Sequence, residues 1–253
     1  MSTLDSPRQW PRYLVERAVN APPKDCFVVG GSTPVVAFGD PTRSRVATIG
    51  INPSCNEFLR KGLLMEGDKR RLATYESLRV SGFAELGSNR GVAILDDCKA
   101  YFQRRPYGWF KSLDQILAKG LSASYYDGTA CHLDLVQWAT DPFWSRLNSS
   151  AQLRLLNDGL PFLKELLSQE SFELIVVNGR TVVEVVEQLG LTTWSLKGQL
   201  DGPPSVKLFL GTGSGTNWLG WSCNLQSQPG ARKHIDALIS FAKESILGPG
   251  SLD

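Results

Sequence analysis

The sequence is poor in the residues that build cofactor and cross-link sites. Its five cysteines, Cys26, Cys55, Cys98, Cys131 and Cys223, are odd in number, far apart and never spaced C-x-x-C. That argues against a disulfide framework, a zinc knuckle or an iron–sulfur cluster, and for reduced, buried thiols. With only two histidines, His132 and His234, a histidine-rich metal site is not expected; neither a metal nor an organic cofactor is. No apolar run approaches the ~20 residues of a membrane span. Residues 1–20 are polar, with arginine and tryptophan scattered among them, unlike a secretory signal. The expectation is a cytoplasmic chain that works off the membrane, as a monomer. Charge is nearly balanced as well, at +2, so the whole molecule does not announce a nucleic-acid binder.

What is present is a globular pattern. A chain of 253 residues, 42% hydrophobic and 21% charged, suits one large domain, or a domain with a sizeable insertion. A short helix is expected over 12–19, then a β-hairpin within 25–40, where Phe27-Val28-Val29 and Pro34 to Phe38 flank Gly30-Gly31. Residues 46–51 form a short apolar β-branched run with no helical period, ended by Pro53, and read as a buried parallel strand. About 59–128 is the least regular part, a helical insertion with helices near 69–78, 96–102 and 113–118. After it come strands at 128–136 and 172–177, helices at 150–168 and 181–189, strands at 206–210 and 219–225, and a last helix at 231–246. Strands alternating with helices place the chain in the α/β class with a largely parallel sheet. Gly211-Thr212-Gly213-Ser214-Gly215 lacks the lysine of a phosphate loop and opens no helix, so it reads as a flexible strand connection.

Two features point towards a site. Asn52-Pro53-Ser54 must turn the chain at the carboxyl end of a central strand, where open α/β sheets bind ligands. The tripeptide is also an ordinary turn, and from these residues alone both readings stand. Between Arg60 and Lys111 there are eleven basic residues against six acidic ones, which leaves the remainder net acidic. That asymmetry fits a polyanion partner or simply solvated helix faces.

Three strand-end segments lie in order: Gly50-Ile51-Asn52-Pro53-Ser54, Asp134-Leu135-Val136-Gln137 and Asn224-Leu225-Gln226-Ser227-Gln228-Pro229. Over roughly residues 45–245 this resembles the uracil-DNA glycosylase superfamily. The first motif of its mismatch-specific and single-strand-selective branches is Gly-[Ile/Met]-Asn-Pro-Gly, matched by Gly50 to Pro53 with Ser54 in place of the glycine. The family's middle strand ends in a base-reading Asn or Lys, and Asp134 stands there. Its last motif, His-Pro-Ser or Asn-Pro-Ser, is degenerate here, where Gln226 to Gly230 occupy the place. The resemblance implies a three-layer α/β/α sandwich around a mostly parallel four-stranded sheet, in one domain spanning 1–253. It also implies a DNA partner with one base flipped into a pocket.

The resemblance assigns roles residue by residue. Asn52 holds the attacking water; an amide orients it rather than deprotonating it. Ile51, Pro53 and Ser54 line the base, and Phe58 is either a stacking aromatic or a core residue. Asn224, Gln226, Ser227 or the N–H groups of their loop supply donors to the leaving base. Arg232 and Lys233 stand where phosphate contacts are made. Arg104 and Arg105, among Phe102, Tyr107, Trp109 and Phe110, make a basic–aromatic cluster that grips nucleic acid, or a packed helix end with solvated heads. Asp134 departs from the family pattern. A carboxylate only accepts, which suits the exocyclic amine of a cytosine and not O4 of uracil. Excising ordinary cytosine would destroy the cell's own genome. The expected target is therefore a marked cytosine, hydroxymethylated or glucosylated as in some phage DNA, and the expected role antiviral defence. The alternatives are a repair glycosylase for uracil or another deaminated base, and an inactive nucleic-acid-binding module of the same fold.

Overall fold

The computed structural model describes residues 9–247; the first eight residues of the polar N-terminal stretch lie outside it. In chain order the elements are α1 (Arg12–Val19), β1 (Val46–Gly50), the two-residue strands β2 (Leu59–Arg60) and β3 (Leu63–Leu64), α2 (Tyr75–Leu78), α3 (Ser88–Lys99), α4 (Lys111–Leu121), β4 (Ala130–Asp134), α5 (Ser149–Gln169), β5 (Leu174–Asn178), α6 (Arg180–Gln188), β6 (Thr193–Leu200), β7 (Val206–Gly213), β8 (Thr216–Trp221) and α7 (Ile235–Leu247). The main sheet has six strands in the order β4-β1-β5-β8-β7-β6. The first four are parallel, while β7 and β6 run antiparallel beside β8. This is the α/β class expected, with two strands more than the four anticipated. No helix among the described residues is long and apolar enough to cross a membrane.

The parallel strands are buried along almost their whole length, as their apolar runs require: β4 and β5 throughout, and β1 up to Gly50. A strand covered on both faces has no need of alternation. The amphipathic helices supply the cover, α1 packing on α3 and α4 on α7. Trp138, Trp218 and Trp221 are completely buried. From β1 the chain crosses outward to β4, then returns past β1 to β5 and on to β8. The reversal puts the topological switch point at the carboxyl ends of β1 and β5, the usual place for a ligand in such sheets.

Three expectations are corrected. The hairpin at 25–40 does not form. Val28 bridges Thr140 and Phe38 bridges His132, both antiparallel, with paired bonds Phe38 N to His132 O at 2.8 Å and His132 N to Phe38 O at 2.9 Å. Residues 35–38 are all buried, so the segment lacks a solvent face and caps the exposed edge of β4 instead. The helix at 69–78 shrinks to α2, opened by a capping box between Thr74 and Ser77 and stopped at Arg79, whose φ is 54°. The glycine-rich 211–215 segment does connect two strands, but not as a loop. It is the end of β7 and a tight hairpin to β8, with Ser214 and Gly215 at φ of 51° and 73°, the left-handed pair that a two-residue turn requires. All five cysteines are unpaired and buried, in line with reduced thiols; burial pushes the Cys98 and Cys131 thiols up to about 12.

Candidate active site

The ladder of β1 and β4 continues past both strands. Leu135 N donates to Gly50 O at 3.1 Å and Val136 N to Ile51 O at 2.9 Å. Pro53 then turns the chain, and Ser54 Oγ accepts from Asn56 N at 3.2 Å, capping a 3₁₀ turn over Cys55–Glu57. Asn52 is held from one side. Its Nδ2 donates to Trp138 O and to Thr140 Oγ1, both at 3.2 Å. A main-chain carbonyl can only accept, so the NH₂ must face it. The amide oxygen is thereby aimed away from these partners, and it takes no hydrogen bond among the described residues.

Gly50 lies directly beside Asp134 in the parallel register. A methyl group there would come 2.5 Å from Asp134 Oδ1 and 2.9 Å from His132 Nε2, so the strand end is bare because two side chains fold across it. Asp134 is 4% exposed, and its Oδ1 lies 3.4 Å from His132 Nε2. On the other ring nitrogen, Thr48 Oγ1 is 2.7 Å from His132 Nδ1 and 2.7 Å from Tyr125 Oη. Among the described residues the buried phenol of Tyr125 has no other acceptor and donates to Thr48; the Thr48 hydroxyl has Nδ1 at 2.7 Å and Cys131 O only at 3.4 Å, so it donates to Nδ1. That order of protons places the imidazole N–H on Nε2, facing the carboxylate. The ring of His132 is walled by Phe38, Trp109 and Phe110, with centroids 5.7, 5.4 and 5.3 Å away. Of these, Trp109 alone is only half-buried.

Glu57, five residues beyond Asn52, was not anticipated. Its side chain is 3% exposed. Tyr101 Oη donates to its Oε2 at 2.7 Å, and Arg71 Nη1 lies 3.6 Å from the same oxygen. Burial pushes its carboxyl up to about 7, Tyr101 and Arg71 oppose the rise, and the charge of Asp134 adds to it. Arg71 also spans the Tyr107 ring at 5.1 Å, so Glu57, Arg71, Tyr101 and Tyr107 form one knot beside β4. Phe58 is 1% exposed and packed in the main core. The half-buried aromatic beside His132 is Trp109 instead.

The last loop holds itself together. Asn224 Oδ1 accepts from Gln226 N and Ser227 N, both at 3.0 Å, so those two N–H groups are not free for a ligand, contrary to expectation. Gln226 Oε1 accepts from Asn178 Nδ2 at 2.6 Å, while Asn178 Oδ1 accepts from Trp221 Nε1 at 2.8 Å. That arrangement leaves Gln226 Nε2 buried without a partner. Ser227 is exposed. Of the candidate donors, Gln226 is the one with a free, desolvated N–H.

Arg104 and Arg70 grip opposite oxygens of Asp97, Arg104 Nη2 at 2.6 Å. With Arg105, Gly67 and Asp68 they line a groove of about 420 Å³. Arg105 is exposed and makes no ion pair among the described residues, whereas Phe102 and Phe110 of the same cluster are core residues. The neighbours Arg70 and Arg71 thus diverge, one into the basic groove and the other to Glu57. Arg232 and Lys233 sit exposed on a 3₁₀ turn, Ala231–His234, ahead of α7. Among the described residues no group of three or more His, Cys, Asp or Glu side chains is placed to hold a metal. Comparisons with protein-family models and with curated proteins find no match.

Proposed function

We propose that the chain is a monofunctional DNA glycosylase of the uracil-DNA glycosylase type. It flips a base from DNA and hydrolyses its N-glycosidic bond, with a hydroxymethylated or glucosylated cytosine as the preferred target. The observation that carries this reading is the placement of Asn52 two residues past the end of β1 and of Asp134 at the end of β4, adjacent parallel strands whose register sets Gly50 beside Asp134. One is fixed by its NH₂ with its oxygen unclaimed, and the other is an acceptor held against the N–H of His132. The parallel core β4-β1-β5-β8 is the scaffold a three-layer glycosylase fold requires.

In this reading the base stacks against Trp109, worth roughly 1–3 kcal/mol, and presents its exocyclic amine to Asp134. Asn52 Oδ1 accepts from the water that captures the sugar at C1′. An oxocarbenium-like centre is electrophilic enough that orientation, without deprotonation, suffices. Arg104, Arg105, Arg232 and Lys233 meet the phosphates. No lysine is assigned as a Schiff-base nucleophile, so strand cleavage by the protein is not part of the reaction. The test is incubation with oligonucleotides carrying 5-hydroxymethylcytosine, its glucosylated form, cytosine or uracil, followed by alkali. Alkali-labile sites at the modified cytosine support the reading, and retained binding with no abasic site in any substrate refutes it in favour of a binding module.

A further inference from the structure

Cytosine is a harder base to release than uracil. The uracil anion spreads its charge over two carbonyl oxygens, whereas cytosine has one carbonyl and an amino group. A cytosine therefore departs far more readily when its ring accepts a proton as the bond breaks. Its Watson–Crick edge carries a donor, N4–H₂, beside an acceptor, N3. An ionised carboxylate answers the first, but Asp134 as a carboxylate cannot answer the second.

The site holds a second carboxyl. Glu57 ends the 3₁₀ turn that follows Asn52-Pro53-Ser54, and its carboxyl lies within range of the charge of Asp134. Its Oε2 is engaged by Tyr101 and approached by Arg71, and its Oε1 takes no hydrogen bond among the described residues. Among the described residues the sealed polar atoms without a partner are Arg17 Nε, Glu66 Oε1, Gln137 Oε1 and Gln226 Nε2. Neither Glu57 nor Asp134 contributes to them, so each carboxyl, though 3% exposed, keeps an oxygen that is neither hydrogen-bonded nor wholly sealed.

We propose that Glu57 is the general acid of the reaction, hydrogen-bonded in its acid form to the ring nitrogen N3 of the flipped base while Asp134 accepts from N4–H₂. The inference rests on the glycosylase reading and deepens it. As the C1′–N1 bond breaks, its electron pair goes to the base, the Glu57 proton moves to N3, and the base leaves neutral. The water held by Asn52 bonds through oxygen to C1′, and its surplus proton returns the Glu57 carboxylate to the acid. The charged and titratable groups facing Glu57 are Tyr101 from the turn after α3, Arg71 from the segment before α2, and Asp134 from β4 with His132 behind it. Burial, which pushes the Glu57 carboxyl up to about 7, keeps a large share of it protonated at neutral pH.

The experiment is single-turnover base release from a 5-hydroxymethylcytosine oligonucleotide between about pH 5 and about pH 9, for the full-length chain and its E57Q and Y101F variants. Wild type should lose rate as pH rises through neutrality. E57Q should be slower by about 10²-fold at the acid end and should lose that limb, because an amide donates a hydrogen bond but not a proton. Y101F removes a donor that favours the ionised carboxylate, so it should move the limb to higher pH, a shift that a damaged fold would not produce. A wild-type profile in E57Q, or an unmoved limb in Y101F, overturns the general-acid role and leaves the glycosylase reading intact. No base release by wild type at any pH overturns both.

Discussion

Replacing Asp134 by Asn is close to isosteric, and the surrounding protons decide how the new amide sits. The chain Tyr125–Thr48–His132 leaves the imidazole N–H on Nε2, pointing at Oδ1 of residue 134. An amide at this position must turn its oxygen to that N–H, because the opposite orientation sets two donors 3.4 Å apart. Its NH₂ then faces the base. Against cytosine N4–H₂ this exchanges a hydrogen bond for a donor–donor contact; against uracil O4 it creates a bond. A base-edge contact is worth roughly 1–3 kcal/mol, and 1.4 kcal/mol is about a factor of ten. D134N should therefore lose roughly ten- to a hundredfold in single-turnover excision of 5-hydroxymethylcytosine, while uracil excision appears or rises. The assay is competitive, with both bases in otherwise identical oligonucleotides, run across pH, since a protonated Asp134 would already donate. If the cytosine-to-uracil preference of D134N equals that of wild type at every pH, Asp134 does not read the base and the cytosine assignment is wrong.

Three further outcomes are expected. Asn52→Ala should abolish base release while DNA binding measured by anisotropy stays within a few-fold, at a cost of about 1–3 kcal/mol in denaturant stability, because Trp138 O and Thr140 Oγ1 lose their donor; wild-type turnover would remove Asn52 from the mechanism. Arg105→Ala should flatten the salt dependence of DNA binding by up to about one unit of slope, and Arg104→Ala should do so while leaving Asp97 held by Arg70 alone; unchanged slopes in both would put the DNA elsewhere. Stability itself should fall with rising pH between the ordinary Glu value of 4.5 and about 7. A carboxyl whose folded pKa is raised binds its proton more tightly when folded, so its contribution is complete below the lower value and is lost through the upper one. Chemical denaturation of E57Q against pH should show that slope reduced, and an identical slope would mean that Glu57 ionises normally.

The elements legible in the sequence were those with one strong period or one strong run. α1 emerges with the bounds expected for it, and β1, β4, β5, α5 and α6 within about two residues, because burial of an apolar face decides them locally. β6 was missed. It is an edge strand, mostly exposed, with a register shift between Leu196 and Gly198, so neither a buried run nor a clean alternation marks it. The 25–40 segment has good strand residues, but its partner is β4, nearly a hundred residues away, and nothing local distinguishes that pairing from a hairpin. Glu57 was invisible because a lone glutamate in a polar turn reads as solvated. His132 did leave a signal. His132 and Asp134 stand two apart in one otherwise apolar strand, and Thr48 and Gly50 stand two apart in its neighbour, which is the spacing of one shared sheet face.

That spacing bears on where the chemistry lies. The first residues of each central strand, Val46-Ala47, Ala130-Cys131 and Leu174-Ile175, are apolar and buried. Polar or bare residues gather at the other end: Thr48 and Gly50 in β1, His132 and Asp134 in β4, Asn178 in β5. Buried polar groups are costly unless paired, and a network of them is often replaceable by apolar side chains without loss of stability. Nothing in the folding of these strands requires Tyr125, Thr48, His132, Asp134 and Glu57 to lie behind a wall of Phe38, Tyr101 and Phe110. Tyr125, Thr48 and His132 are joined by hydrogen bonds, Asp134 and Glu57 each keep an oxygen without one, and the glycine beside them has been kept clear of a side chain. A fold departs from its own burial pattern at the place where it acts, and within the central strands β4, β1 and β5 the departures gather toward the carboxyl ends, where the strand order reverses.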